Sequence, residues 1–359
     1  MRSPQPPMDP AFLRTLVQER MPFDPTVVDI FQPPEQCMPE IPVPTDEELF
    51  RHARVPRAKS PGPDGVPPYL IYLLPPRLFH LVANCIRLSI SLDHPLPLFY
   101  DAQLIGLYKP KKEWWTPGAW RPIAMSTAGY RIAMRFVKTH ISSWACSFLS
   151  PQQFGGRPGR SPATATHCLL ETLYARRDHS AFATFLDVRN AFSSVPFDLV
   201  ISLLHRLKFP AGFIHLFSHV LKFGRFHMPA IADPFYASSG IRQGCPLSAL
   251  LFTLFYDCFL RLLSKWTPVA FVDDLVAVTH TPEHVEEFMQ EAWIALRRMG
   301  MELNVSKTEV LALGSSVSQA IRISAPIYHS ANGSTNHVRS LDPQPPWCCS
   351  AAHRLPCQT

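Results

Sequence analysis

Apolar positions along the chain fall into a few strongly periodic stretches separated by turn-rich ones. Leu247, Leu250, Leu251, Leu254, Phe255, Cys258, Phe259 and Leu262 recur at i, i+3, i+4, i+7, which predicts a core helix over 247–263. Leu199, Val200, Leu203, Leu204 and Leu207 follow Pro196 and predict a second helix over 197–208. Leu78, Val82, Cys85, Ile86 and Ile90 predict another over 78–92. A further helix is expected from about Glu283 to Met299, stopped by Gly300. The run 181–187 reads as a strand ending at Asp187. Two four-residue apolar runs, 269–272 and 275–278, flank Asp273-Asp274. Asp tolerates left-handed backbone, so a tight hairpin with both carboxylates at its tip is expected. A last strand fits 310–313.

In order these elements give strand, helix, strand, strand, helix, strand, with an extra helix and an insertion at 209–246. That is the split βαβ, ferredoxin-like arrangement of an α+β protein. Residues 1–48 are crowded with proline and are expected to be a weakly ordered arm. Order is expected from Thr45, an N-cap with Glu48 three residues on. Ser-Pro-Gly-Pro-Asp-Gly at 60–65 is a dense turn signal. Residues 315–359 lose periodicity and are expected to be an ill-ordered tail. The expected segments are therefore 1–48, 49–180, 181–314 and 315–359.

Composition narrows the class. Of 359 residues, 47% are apolar and 17% charged, which excludes global disorder, collagen and coiled coil. No apolar run is long enough to cross a membrane, so no membrane partner is expected. Nine cysteines include no C-x-x-C pair, which fits reduced intracellular thiols. The cluster Cys348, Cys349, His353 and Cys357 fits no standard zinc spacing. The net charge of +6 is uneven: −6 over 1–50, +11 over 51–180 and +1 over 181–359. A basic block of this kind suits a phosphate-rich partner, although a solvated basic surface would look the same.

The acids carry the chemistry. Adjacent strands lie about 4.8 Å apart, so Asp187 and Asp273 can meet above the sheet. Carboxylates that close repel unless cations neutralise them, and hard oxygen ligands suit Mg²⁺. Two such ions can activate an attacking hydroxyl and stabilise a leaving group. The competing reading of Asp-Asp is a solvated turn.

Several blocks in order resemble a reverse transcriptase of the non-LTR, LINE-like retrotransposon class, over about 48–314. They are Phe-Leu-Asp-Val-Arg-Asn-Ala-Phe at 185–192, Gly-Ile-Arg-Gln-Gly-Cys-Pro-Leu-Ser at 240–248, Phe-Val-Asp-Asp at 271–274 and Leu-Asn-Val-Ser-Lys-Thr-Glu at 303–309. Upstream, 60–65, Trp-Arg-Pro-Ile at 120–123 and Gln-Phe-Gly-Gly-Arg-Pro-Gly-Arg at 153–160 fit the family's fingers. The resemblance implies a right-hand polymerase with a ferredoxin-like palm and a mixed fingers subdomain. It implies an RNA-directed DNA polymerase taking an RNA template, a DNA primer and dNTPs, and a nuclear location. Asp187, Asp273 and Asp274, with the Val188 carbonyl, would hold two Mg²⁺ (or Mn²⁺) ions.

Other roles follow from the same resemblance. Phe192 would lie under the sugar of the incoming nucleotide and reject a 2′-hydroxyl; otherwise it is a core ring. Gln243 and Gly244 would meet nucleotide or template at close backbone approach; otherwise they are a turn before a helix. Lys109 and Arg121 would hold the triphosphate, Lys307 the pyrophosphate, and Arg157 and Arg160 the template phosphates. Each of these cations is otherwise a solvated surface group. Ala249 stands where the family usually has proline, and Val272 where alanine is commoner. After Gly314 no primer grip or thumb is legible, so the thumb is expected to be missing. The rival reading is a non-catalytic nucleic-acid-binding remnant of such an element. A nucleotidyl cyclase is a third, opposed by Phe192 and by Gln243-Gly244.

Overall fold

Thr45 and Glu48 cap one another: the Glu48 N–H donates to the Thr45 hydroxyl at 3.2 Å, and the Thr45 N–H donates to the Glu48 carboxylate at 2.8 Å. This capping box opens α1 (Asp46–Ala53). The computed structural model describes residues 21–313 except 57–58, 92–100, 111–112, 114, 117–118, 176–180 and 229–230. The zinc-like cluster and the 315–359 tail lie outside the described residues. In chain order there follow α2 (Pro68–Tyr72), α3 (Pro76–Ser91), β1 (Asp101–Tyr108), β2 (Trp120–Ser126), α4 (Ala128–Phe148) and α5 (Pro162–Tyr174). Next come β3 (Ala181–Leu186), α6 (Ala191–Ser194), α7 (Phe197–Arg206), α8 (Ala211–Lys222), β4 (Arg225–Met228) and β5 (Ile231–Tyr236). The described chain ends with α9 (Ser248–Leu262), β6 (Val269–Phe271), β7 (Asp274–Thr279), α10 (Pro282–Arg298) and β8 (Glu309–Leu313). Among the described residues no helix is long and apolar enough to cross a membrane.

The chain forms two compact units that do not follow the linear split expected at residue 180. One takes Met1–Leu149, Asn190–Cys258 and Arg297–Met301; the other takes Ser150–Arg189, Phe259–Leu296 and Glu302–Thr359. Strand pairing overrides sequence order, because β3 finds its partners in β7 and β8 rather than in the segments beside it.

The first unit contains the sheet β2-β1-β4-β5. β1 and β2 pair antiparallel from Ala102↔Ser126 to Tyr108↔Trp120, and β4 joins β1 in parallel. α4 lies deep in the same unit, with Tyr130, Ile132, Phe136, Val137 and Ile141 buried. The turn at 60–65 fits the start of α4: the Ala128 N–H donates to the Asp64 carboxylate at 2.8 Å. A Cβ at Gly62 would stand 2.4 Å from the Ser126 carbonyl oxygen, so only glycine allows that approach.

The described part of the proline-rich arm corrects the expectation of weak order. A 3₁₀ turn, Pro25–Ile30, buries Val27 and Val28, and Phe31 and Met38 are buried beyond it. Arg206 donates to the Phe31 carbonyl at 2.7 Å and to that of Asp29 at 3.1 Å, while the Met38 N–H donates to the Lys208 carbonyl at 2.9 Å. Proline excludes a long helix here but not a short 3₁₀ turn and a docked strap whose polar groups are satisfied by α7 and the residues after it.

The second unit contains the antiparallel sheet β6-β7-β3-β8, the strand order expected of a split βαβ unit. Its hairpin is shifted by one residue from expectation. Phe271 pairs with Asp274, so the turn residues are Val272 and Asp273, and Asp274 opens β7. The left-handed backbone falls on Val272 (φ 61°) rather than on an aspartate.

Candidate active site

β3 and β7 bring the acids to one edge of their sheet. Leu186 pairs with Leu275, so Asp187, the residue after β3, and Asp274, the first of β7, stand one register step beyond that pair. Both alternate with the buried Leu186 and Leu275 and so share the face that carries Phe185, which is 39% exposed. Asp273 projects from the turn between β6 and β7.

The segment after α10 grips Asp187 from both backbone and side chain. The Asn304 N–H donates to the Asp187 carbonyl at 2.8 Å, and Asn304 Nδ2 donates to Asp187 Oδ2 at 2.7 Å. Lys307 Nζ reaches the same oxygen at 3.3 Å. The Thr308 hydroxyl accepts from the Asp187 N–H at 3.4 Å. The Asp187 side chain is 32% exposed, so it is held without being sealed from solvent. Val188 faces Leu303 in a bridge whose hydrogen bonds belong to its neighbours: the Arg189 N–H donates to the Glu302 carbonyl, and the Asn304 N–H to that of Asp187. In such a pair the N–H and C=O of Val188 point away from Leu303, which leaves its carbonyl directed elsewhere.

Arg157 and Arg160 turn back onto their own loop. Arg157 Nη1 donates to the Ser150 carbonyl at 2.9 Å, and Arg160 Nη1 donates to the Pro151 carbonyl. The Arg160 guanidinium lies over the Phe154 ring, 4.6 Å from its centre. Burial and the neighbouring Arg157 both lower the Arg160 pKa. This glycine-rich loop is therefore braced by the two cations expected to hold the template phosphates.

Of the nucleotide-binding candidates, Lys109, Arg121, Phe192, Gln243 and Gly244 lie in the first unit and Val188 in the second. Arg121 faces Leu107 across β1 and β2, and Lys109 is two residues past Leu107, so the two cations share one face a diagonal step apart. Arg121 is exposed and Lys109 half-buried. The Ala124 N–H donates to the Gln243 carbonyl at 2.6 Å, which docks 243–244 on β2. Gly244 has φ +116°, and a Cβ there would meet the Ala124 carbonyl oxygen at 2.5 Å. Its glycine is thus required by β2, not only by an incoming nucleotide. Phe192 stacks on Phe252 of α9, with ring centres 4.2 Å apart and planes 15° apart, and stays half-buried. A cavity of about 50 Å³ lies beside these residues, lined by Ala124, Ser193, Gly240, Ile241 and Gln243. That is too small for a nucleotide, which needs several hundred Å³.

The donor set at the sheet edge is oxygen only, three carboxylates and a carbonyl, which is the chemistry a hard divalent cation requires. Among the described residues, however, no three acidic, histidine or cysteine side chains gather closely enough to enclose a metal ion.

Residues 109–338 match the family described as "Reverse transcriptase (RNA-dependent DNA polymerase)", well over half of the chain. The chain belongs to the reverse transcriptase family. Its sequence is 26% identical over 281 residues to the "Retrovirus-related Pol polyprotein from type-2 retrotransposable element R2DM" of Drosophila melanogaster, covering 73% of this chain and 26% of that protein. It is 24% identical over 241 residues to the "Probable RNA-directed DNA polymerase from transposon BS" of the same species, covering 66% of this chain and 26% of that one. It is 24% identical over 298 residues to the "Transposon TX1 uncharacterized 149 kDa protein" of Xenopus laevis, covering 77% and 22%. The chain thus spans about a quarter of the length of these relatives. Their names place them in transposons or retrotransposable elements, and the resemblance to the LINE-like class stands.

Within this member of the family the second unit brings Asp187, Val188, Asp274 and Lys307 to one sheet edge, with Asp273 on the adjoining turn. The first unit links Arg121, Gln243, Gly244 and Phe192 through β2 and the backbone bond from Ile241 N–H to the Phe192 carbonyl at 2.8 Å. Sequence reasoning missed Asn304, Thr308 and Gln153. Asn304 and Thr308 sit in the block that supplied Lys307, at positions whose short polar side chains signal local backbone bonding. Gln153 opens the glycine-rich loop and carries no charge that would single it out.

Proposed function

We propose that the chain is an RNA-directed DNA polymerase domain that adds dNTPs to a primer 3′-hydroxyl on an RNA template. The sheet β6-β7-β3-β8 serves as its palm, and the basic region within 49–180 contributes its fingers. The reading rests on one observation above all: Asp187 and Asp274 extend the Leu186↔Leu275 pair at a common sheet edge, beside the Asp273 turn. Asp187, Asp273 and Asp274, with the Val188 carbonyl, would hold two Mg²⁺ ions, which activate the attacking hydroxyl and offset charge on the transferred phosphate. Asn304 and Thr308 orient Asp187 from behind. Lys307 holds a proton or a positive charge where pyrophosphate leaves. Lys109 and Arg121 bind the triphosphate, Phe192 supports the sugar, and Arg157 and Arg160 order the template-side loop.

The test is extension of primed poly(rA) with dTTP and Mg²⁺ by the parent and by Asp273→Asn/Asp274→Asn. Extension by the parent alone supports the polymerase. A second reading, a nucleic-acid-binding remnant, is favoured by the acids not being gathered around one point. Template binding by both proteins with extension by neither would establish it.

A further inference from the structure

The acid-bearing hairpin contains an unfavourable residue at a critical place. Val272 sits at φ 61°, and a β-branched side chain there is a true outlier, held only where the surroundings over-determine it. Those surroundings are the residues 152–155. The Ala270 N–H donates to the Gln152 carbonyl at 2.9 Å, and the Phe154 N–H donates to the Ala270 carbonyl at 2.8 Å, so this segment pairs in parallel with β6. The Gln153 side chain then takes over where the main chain leaves off. The Val272 N–H donates to Gln153 Oε1 at 3.0 Å, and Gln153 Nε2 donates to the Val272 carbonyl at 3.2 Å. The Gly155 N–H donates to the same Oε1 at 2.8 Å.

Gln153 is fully buried (0% exposed), and its amide oxygen faces two N–H groups while its nitrogen faces a carbonyl. That pattern fixes the amide's orientation and needs a group that both donates and accepts. The amide satisfies both backbone polar groups of Val272, as a neighbouring strand would. Gly155 closes the contact, since a Cβ there would stand 2.4 Å from the Val272 nitrogen. α5, which follows the loop, packs on β6 and β7.

We propose that Gln153 is a positioning residue for the reaction: its side-chain amide holds the Val272 turn in its left-handed form and thereby sets where Asp273 and Asp274 project. The inference rests on the polymerase reading above, and it extends that reading to a residue that touches neither substrate nor metal. Holding acids in place favours kcat over dNTP affinity, because the triphosphate is bound by other groups.

The test compares the 359-residue chain with Gln153→Met, which keeps side-chain length but cannot make the three bonds, and with Val285→Ala, a truncation of a buried α10 side chain that serves as the control for lost stability, with the thermal midpoint of each variant measured alongside. Two quantities are read on primed poly(rA): kcat and KM for dTTP. A third, amide hydrogen exchange across 269–276 measured by mass spectrometry, needs no turnover. A displacement of about 1 Å at a reacting group costs up to ~100-fold, so Gln153→Met is expected to lose about 10-fold or more in kcat. Its KM is expected to stay within about twofold, as uniform binding is untouched. Its hairpin amides are expected to exchange faster, while Val285→Ala keeps parental kcat and parental exchange there. Parental kcat or parental hairpin exchange in Gln153→Met overturns the inference and leaves the polymerase reading standing. So does the same kcat loss in Val285→Ala, which would make the effect one of stability alone. If the parent itself fails to extend, the polymerase reading falls and takes the catalytic purpose of the contact with it, even if exchange shows the contact to be real.

Discussion

Asn304 reaches Asp187 twice, once through its N–H at 2.8 Å and once through Nδ2 at 2.7 Å. The backbone bond survives a change to alanine, so Asn304→Ala removes only the side-chain bond to the carboxylate and the one that Asn304 Oδ1 accepts from the Ser306 hydroxyl at 2.9 Å. A hydrogen bond of this kind contributes about 1 kcal/mol to stability, and the half-exposed setting keeps the effect at that level. Activity should fall further than stability, since Asp187 would keep its place at the end of β3 but lose its orientation. The expected outcome is a kcat loss of roughly 10-fold or more with a denaturation midpoint close to the parent's. Equal activity at equal stability would show that Lys307 and Thr308 suffice. Gly155→Ala addresses the hairpin from the other side. Its Cβ would meet Val272 nitrogen at 2.4 Å and Val272 Cγ2 at 2.5 Å, contacts that cannot persist. The turn must move, so primer extension should drop while the sheet of the first unit stays intact. Circular dichroism alongside the extension assay checks both halves of that expectation.

At the scale of elements, the periodic stretches were legible and the non-local contacts were not. The stripe at 247–263 became α9, the run 181–187 became β3, and the strand order followed from the succession of elements. The hairpin was misplaced by one residue because local preference puts aspartate, not valine, in left-handed backbone. Burying Gln153 against Val272 reverses that preference, and no local pattern announces a side chain 119 residues away. The docked strap at 25–38 was hidden likewise, since its partners Arg206 and Lys208 lie far along the chain. Gly244 shows the same limit: its glycine was legible, but its reason, β2, was not. Gly244→Ala combines a forbidden φ of +116° with a clash on the Ala124 carbonyl. It should cost roughly 2–3 kcal/mol in chemical denaturation. The start of α1 gives a pH signature. Hydrogen bonds from Arg87, then His80, hold the Asp46 carboxyl below its usual value. A depressed carboxyl stabilises the fold above its unfolded pKa, and that contribution is lost as pH falls through the lower folded value. Asp46→Asn should therefore flatten the acid limb of a stability profile below about pH 4 and leave the neutral limb parallel to the parent's.

The +11 charge of residues 51–180 overstates the cation supply for nucleic acid in the whole molecule. Arg87 is paired with Asp46 and bonded to the Pro44 carbonyl, Arg131 donates to the Ser60 carbonyl, and Arg135 donates to the His52 carbonyl. Arg157 and Arg160 donate to Ser150 and Pro151. Each of these guanidiniums is committed first to holding backbone in place, and burial lowers the pKa of Arg131 and Arg135. A count of eleven phosphate contacts on single-stranded RNA would give a log K against log salt slope of about −8. With at least five cations engaged in the fold, a slope of roughly −2 to −4 is expected. Filter binding between low and moderate salt measures it, and a slope near −8 would mean that the arginines release their carbonyls for phosphate. The Asp273→Asn/Asp274→Asn protein sharpens the comparison. Removing two negative charges beside the path of the primer should leave the slope unchanged and the affinity equal or higher, while extension disappears. Weaker binding by that variant would mean that the acids shape the nucleic-acid surface itself, and their role could no longer be confined to the chemistry of transfer.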